Sequence, residues 1–174
     1  LFMSTAPWVA LALTCLLGPS SGAPTGGGAP RICIDPGHGG WDPGALGFGL
    51  EEADVNLDVA LRLAALLDAD TLDESGGGAW DVMLTREAEV YVSLADRVAM
   101  ANAWPADHFV SIHCNAFGDP AANGTETYSF AEGIEAAAVR DRIQERMIDA
   151  WDLTDRGSKT ANFYVLRETV MPAT

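Results

Sequence analysis

Short apolar runs alternate along this chain with stretches that repeat at helical spacing. Ile32 to Ile34 is an apolar run closed by Asp35-Pro36 and by three glycines around His38, which predicts a buried strand and its stop. Leu57, Ala60, Leu61, Ala64 and Leu67 then recur on one helical face. Glu51, Glu52 and Asp54 gather at its start, where the helix dipole favours acids. Residues 68–78 are polar, acidic and glycine-rich and predict a surface connection. A second strand is predicted over 81–85, ended by Arg86. Ser93 opens the next helix, with Asp96 three residues on as a reduced capping box. Leu94, Val98 and Ala101 line its face, and Trp104-Pro105 ends it. Residues 108–115 read as a strand, 117–124 as a short loop and 125–130 as a strand. A helix is predicted over 135–151 with Val139, Ile143, Met147 and Ala150 inward, then a strand over 162–166. Strands alternating with amphipathic helices predict an α/β three-layer sandwich, a mixed and mostly parallel sheet flanked by helices. The chain stops at Thr174 without a closing helix, so the last strand and helix of that layer are expected to be missing.

Composition narrows the partners. The 174 residues and 48% apolar content suit one domain with a core. A formal charge of −15 argues against nucleic acid, whose phosphates would be repelled, and against an electrostatic grip on anionic membranes. Residues 1–30 carry no charged side chain. The apolar run from Trp8 to Leu17 is short for a bilayer, and Ser21-Gly22-Ala23 fits a small-x-small cleavage site. Residues 1–23 are therefore expected to be a signal peptide, 24–30 a Gly/Pro linker and 31–174 the functional domain. An uncleaved anchor is the rival, and lipidation at Cys15 is disfavoured by Thr14. Cleavage would leave a secreted or periplasmic monomer with no stable membrane insertion. Cys33 and Cys114 would remain, as one bridge or as free thiols, and their spacing matches neither a zinc knuckle nor a redox pair.

The candidate chemistry sits at strand ends. His38 and His113 both follow the carboxyl ends of predicted strands, where open α/β sheets bind ligands. His108, five residues before His113 on the same strand, lies roughly 17 Å away along it and cannot share an ion with it. Two histidines and a carboxylate at a helix start, Glu51 or Glu52, suggest a three-ligand zinc site that keeps a fourth position open. Asp35, Asn115 and Glu126 are candidates by position to hold the imidazoles, with Asn115 and Glu126 equally placed to touch substrate or to serve as plain structural polar groups. Arg86 and Arg97 are expected to tie helices to strand ends, and Trp41 to line the groove or the core. The bland alternative makes the histidines turn residues and the acids helix-start decoration.

Motifs in order sharpen this. Ile34-Asp35-Pro36-Gly37-His38-Gly39-Gly40, Asp42-Pro43-Gly44-Ala45 and Glu52-Ala53-Asp54-Val55-Asn56-Leu57 resemble the zinc-dependent N-acetylmuramoyl-L-alanine amidases of the Amidase_3 family. Leu84-Thr85-Arg86, Ser111-Ile112-His113-Cys114-Asn115-Ala116, Gly124-Thr125-Glu126-Thr127-Tyr128 and Phe163-Tyr164-Val165-Leu166-Arg167 continue the match. The resemblance implies zinc ligands at His38, Glu52 and His113. It implies hydrolysis of the amide between the lactyl group of N-acetylmuramic acid and L-alanine in peptidoglycan. The family's general base is a glutamate in a Pro-Ala-Val-Leu-Val-Glu strand. Met171 to Thr174 matches only the start of that strand, so no catalytic glutamate is assigned in this chain, and activity as written is expected to be impaired. The short loop after Asn115 leaves no room for the blocking helix that some relatives carry. The alternatives are a non-catalytic wall binder or regulator that keeps the metal pocket, and a zinc peptidase of the stem peptide.

Overall fold

A computed structural model describes residues 28–73, 78–115 and 123–174. The expected signal peptide, most of the linker and most of the loop after Asn115 lie outside the described residues. The elements run β1 (Arg31–Pro36), β2 (Leu46–Gly47), β3 (Leu50–Glu51), α1 (Glu52–Thr71), β4 (Asp81–Leu84), α2 (Leu94–Ala103) and β5 (His108–Ile112). They continue through β6 (Thr125–Ser129), α3 (Glu135–Ala150), β7 (Asp155–Thr160) and α4 (Tyr164–Glu168). None of the described helices is long and apolar enough to cross a membrane.

β1 is the middle of a three-stranded parallel sheet, between β4 and β5. Its alternate side chains feed two cores, as a strand covered on both faces requires. Ile32 and Ile34 pack with Ala60, Leu63, Ala64 and Leu67 of α1 and with Trp80. Cys33 points the other way, toward Val98 and Ala101 of α2, Val165 and Leu166 of α4, Phe109 and Met171. Helices therefore cover both faces, as the three-layer reading expects. Pro172 to Thr174 lie parallel along β5 as an isolated bridge: the Phe109 amide donates to the Pro172 carbonyl at 3.0 Å and Ser111 to that of Thr174 at 2.8 Å.

Several elements match the hydrophobic pattern and several do not. Ser93 caps α2, its Oγ accepting from the Asp96 amide, as the capping box predicts. Val98 and Ala101 are buried there, but Leu94 is exposed and Arg97 takes a buried place. α1 runs to Thr71, into the predicted connection, and its buried line is Ala53, Asn56, Ala60, Leu63, Ala64 and Leu67, with Leu61 exposed. In α3 the buried positions are Ala136, Ala137, Arg140 and Gln144, and Ala150 is exposed. The cause is polar demand: Gln144 Nε2 donates to the Thr125 carbonyl at 3.0 Å and to Asp155 Oδ1 at 2.6 Å, serving both β6 and β7. The strand predicted over 162–166 is instead the short helix α4, and the strand in that region is the polar β7, parallel to β6. Asn102 of α2 fixes α4 by donating to the Glu168 carbonyl at 3.2 Å and accepting from the Val170 amide at 3.0 Å.

Candidate metal centre

Parallel register explains why distant residues meet. Pro36 of β1 stands opposite Ile112 of β5, and the Gly37 amide donates to the Ile112 carbonyl at 3.0 Å. The residues that follow each strand, His38 and His113, therefore leave the sheet side by side. The His113 ring lies over Gly37 so closely that a Cβ there would meet its Cε1 at 2.2 Å. Only glycine leaves that space. Glu52 arrives from a third direction, as the first residue of α1. Its amide and that of Ala53 have no partner within the helix and donate instead to the loop carbonyls of Ala45 and Pro43, at 2.9 and 3.0 Å.

The three side chains converge. His38, Glu52 and His113 offer ligand atoms that all lie within 4.8 Å of one another. His38 Nε2 is 3.3 Å from Glu52 Oε1, and His113 Nδ1 is 2.9 Å from the same oxygen. The rings meet edge-on, with centroids 4.9 Å apart and planes at 82°. Glu52, the carboxylate preferred over Glu51, is buried, whereas Glu51 is exposed. Burial pushes the Glu52 carboxyl up, but hydrogen bonds from His113 and from the Ala45 and Cys114 amides, with the charge of His38, outweigh it and hold it at about 2. It is thus an anion across the physiological range, facing two imidazoles: a possible His/Glu/His site for a divalent cation.

What surrounds these groups differs in part from the sequence reading. Asp35 touches neither histidine. It lies on the same face of β1 as Cys33, toward α2, and accepts from Thr85 Oγ1 (2.6 Å), Arg97 Nη1 (2.7 Å) and Ser111 Oγ (2.7 Å). The residue that holds His38 is Asp42, whose Oδ2 lies 2.9 Å from Nδ1 and leaves Nε2 toward Glu52. Its signal was available: a carboxylate four residues past a histidine, in a tight Gly/Pro turn. Asn56 was also missed; one turn of α1 past Glu52, its Nδ2 reaches the Gly37 carbonyl at 3.3 Å. Arg86 and Arg97 tie structure together as expected. Arg86 donates to the carbonyls of Pro36, Gly37 and Ala53, and Arg97 to those of Pro36 and His38.

Asn115 and Glu126 meet each other. Asn115 Nδ2 donates to Glu126 Oε1, and Glu126 also pairs with Arg156 at 3.0 Å and with Lys159. Burial raises the Glu126 carboxyl, and its hydrogen bonds with Lys159, Tyr128 and Arg156 more than offset this, leaving it at about 2. His108 lies apart from the cluster, at the start of β5, with a buried Nδ1 that has no partner and a pKa lowered by burial. Cys33 and Cys114 are free thiols. Burial, and then the Asp35 charge, push the Cys33 thiol up to about 12, so it acts as a small apolar filler.

Known proteins resemble this chain throughout the described domain. The family model described as N-acetylmuramoyl-L-alanine amidase, Amidase_3, matches residues 32–174. A sporulation-specific N-acetylmuramoyl-L-alanine amidase of Bacillus subtilis (strain 168) is 44% identical over 144 residues, which cover 82% of this chain and 53% of the relative. The chain thus spans about half the length of the curated relatives it first matches. Among solved structures, AmiC2 of Nostoc punctiforme superposes with a TM-score of 0.73 at 38% identity, covering 85% of this chain and 78% of that one. The catalytic domain of CwlV from Bacillus (Paenibacillus) polymyxa var. colistinus gives 0.72 at 37% identity, covering 83% and 76%.

Proposed function

This chain belongs to the N-acetylmuramoyl-L-alanine amidase family Amidase_3, and from that premise we propose that it cuts the amide between N-acetylmuramic acid and L-alanine in peptidoglycan. The observation that carries the reading is the convergence of His38, Glu52 and His113 on one point. The metal proposed is zinc. It would be held by His38, Glu52 and His113, whose ligand atoms all lie within 4.8 Å of one another. Two neutral donors and one anion leave net positive charge at the centre. When bound, zinc supplies Lewis acidity toward a carbonyl oxygen and acidifies water.

The chain's own residues do the rest. Asp42 holds the Nδ1 proton of His38, which fixes the tautomer that turns Nε2 toward the cation. The Ala45 and Cys114 amides keep Glu52 ionised and aimed. Asn115 and Glu126, two and thirteen residues past His113, are proposed to contact substrate. The protein is proposed to act outside the cytoplasm after loss of a leader over residues 1–23, and to work as a monomer.

Digestion of purified peptidoglycan tests this reading. The chain should release stem peptides with a free L-alanine amine, slowly for want of an assigned general base, and removal of zinc by a chelator should abolish release. New amines at other stem residues would mean a peptidase instead. Stoichiometric zinc with no amine released would mean a non-catalytic wall binder.

A further inference from the structure

Trp41 and Tyr91 are stacked on each other at the surface, with centroids 4.3 Å apart and planes tilted by 32°. Trp41 is 75% exposed and Tyr91 43%, so core packing does not account for the pair. Trp41 rides in a tight turn in which Gly39 and Asp42 exchange backbone hydrogen bonds of 2.8 and 3.2 Å. That turn starts one residue after His38 and ends on the carboxylate that orients it. Chain length alone keeps the Trp41 backbone within about 11 Å of that of His38. The turn has a fixed backing. The Gly40 amide donates to Glu89 Oε1 at 2.7 Å, and a Cβ on Gly39 would meet the Val90 carbonyl oxygen at 2.3 Å. The two rings are therefore held beside the metal-ligating turn before any ligand arrives, which removes an ordering cost from binding.

We propose that Trp41 and Tyr91 form a stacking platform for the glycan strand of the substrate, taking the pyranose ring that bears the lactyl group or its neighbour. The proposal rests on the amidase reading for the identity of the polymer. A β-linked pyranose presents a flat face of C–H groups with hydroxyl and amide groups around its edge. The electron-rich face of an aromatic ring attracts such C–H groups, and a half-exposed ring meets both the dry face and the wet edge. Distance agrees, because only the short lactyl arm separates the sugar from the amide to be cut. The side-chain charges around the turn are paired, Asp42 with His38, Glu89 with Arg86 and Arg97 with Asp35, so the rings offer a neutral N-acetylated sugar an apolar face rather than an ionic grip for a stem peptide.

Calorimetric titration of the zinc-loaded full chain with the neutral tetrasaccharide of β-1,4-linked N-acetylglucosamine, and separately with a free stem peptide, tests this. The tetrasaccharide should bind. Trp41→Ala should weaken it about ten-fold or more, Tyr91→Ala about three-fold, and Trp41→Phe less than Trp41→Ala. Zinc content should be unchanged in all three. Binding that survives Trp41→Ala, loss of zinc or of folded structure in Trp41→Ala, or preference for the stem peptide would each overturn the platform. Trp41-dependent sugar binding by a chain that releases no stem peptide with a free L-alanine amine would sink the amidase reading and leave the platform standing.

Discussion

Arg97 and Arg140 are both buried arginines on helices, and both spend their donors on strand ends, yet they guard different things. Arg97 pairs at 2.7 Å with Asp35, and both partners are almost completely buried. It also donates at 2.7 Å to the carbonyls of Pro36 and His38. That backbone needs holding, because His38 sits at φ 60, which costs a non-glycine residue energy. Arg140 donates to Ser129 Oγ and to the Lys159 carbonyl, at 3.1 Å each, and so locks β6 to β7. Its acidic partners, Glu132 and Asp141, have side chains open to water. The first network keeps a proposed metal ligand in an unfavourable conformation; the second only joins two strands. Charge buried on both sides has no solvent to fall back on, whereas charge buried on one side has.

That contrast predicts a graded set of outcomes. Arg97→Ala leaves Asp35 buried and uncompensated and should cost about 3–5 kcal/mol in urea unfolding of the metal-free protein. Metal affinity should fall with it, because the His38 turn loses its clamp. Asp42→Ala frees the His38 ring and one exposed-turn contact, to the Gly44 amide: zinc affinity should drop about 10–100-fold in competition with a chromophoric chelator, with the unfolding midpoint of the metal-free protein shifted far less than by Arg97→Ala. Arg140→Ala should cost about 1–2 kcal/mol, since water replaces it on the exposed carboxylates, and should leave zinc affinity intact. If Arg140→Ala released zinc, the separation of the two regions would be broken.

A pH dependence is expected on the β6–β7 side as well. The Glu126 carboxyl lies at about 2 in the folded protein against an ordinary 4.5. A lowered folded value means that the unfolded chain binds more protons in that window, so the stabilisation is complete above about pH 4.5 and disappears as pH falls toward 2. The difference in urea midpoint between the protein and Glu126→Gln should therefore shrink on acidification through this range. A difference that stayed constant would mean that Glu126 packs rather than pairs.

Legibility in the sequence follows the same divide. Near the metal centre, apolar period and cap chemistry carry the structure: Ile32 and Ile34 mark β1, Ser93 marks α2, and the histidines follow strand ends as open α/β sheets require. Asp35 was misjudged because strand alternation sends it to the side of Cys33, toward Arg97, while the orienting role falls to Asp42 in a turn that has no period. On the β6–β7 side the pattern misleads. β7 reads Asp-Arg-Gly-Ser-Lys-Thr and is held by polar groups of α3, so no apolar run announces it. Residues 162–166 are apolar enough for a strand, but so short a run does not distinguish a strand from one helical turn. Tertiary contact of Val165 and Leu166 with α2 decides for the helix.

Zinc content of the purified full chain, by equilibrium dialysis and elemental analysis, tests the central claim most directly when set beside the single variants His38→Ala, Glu52→Ala and His113→Ala. The account predicts one zinc per chain and its loss in each of the three. A full complement of zinc retained by any one of them, with the fold intact, would contradict it.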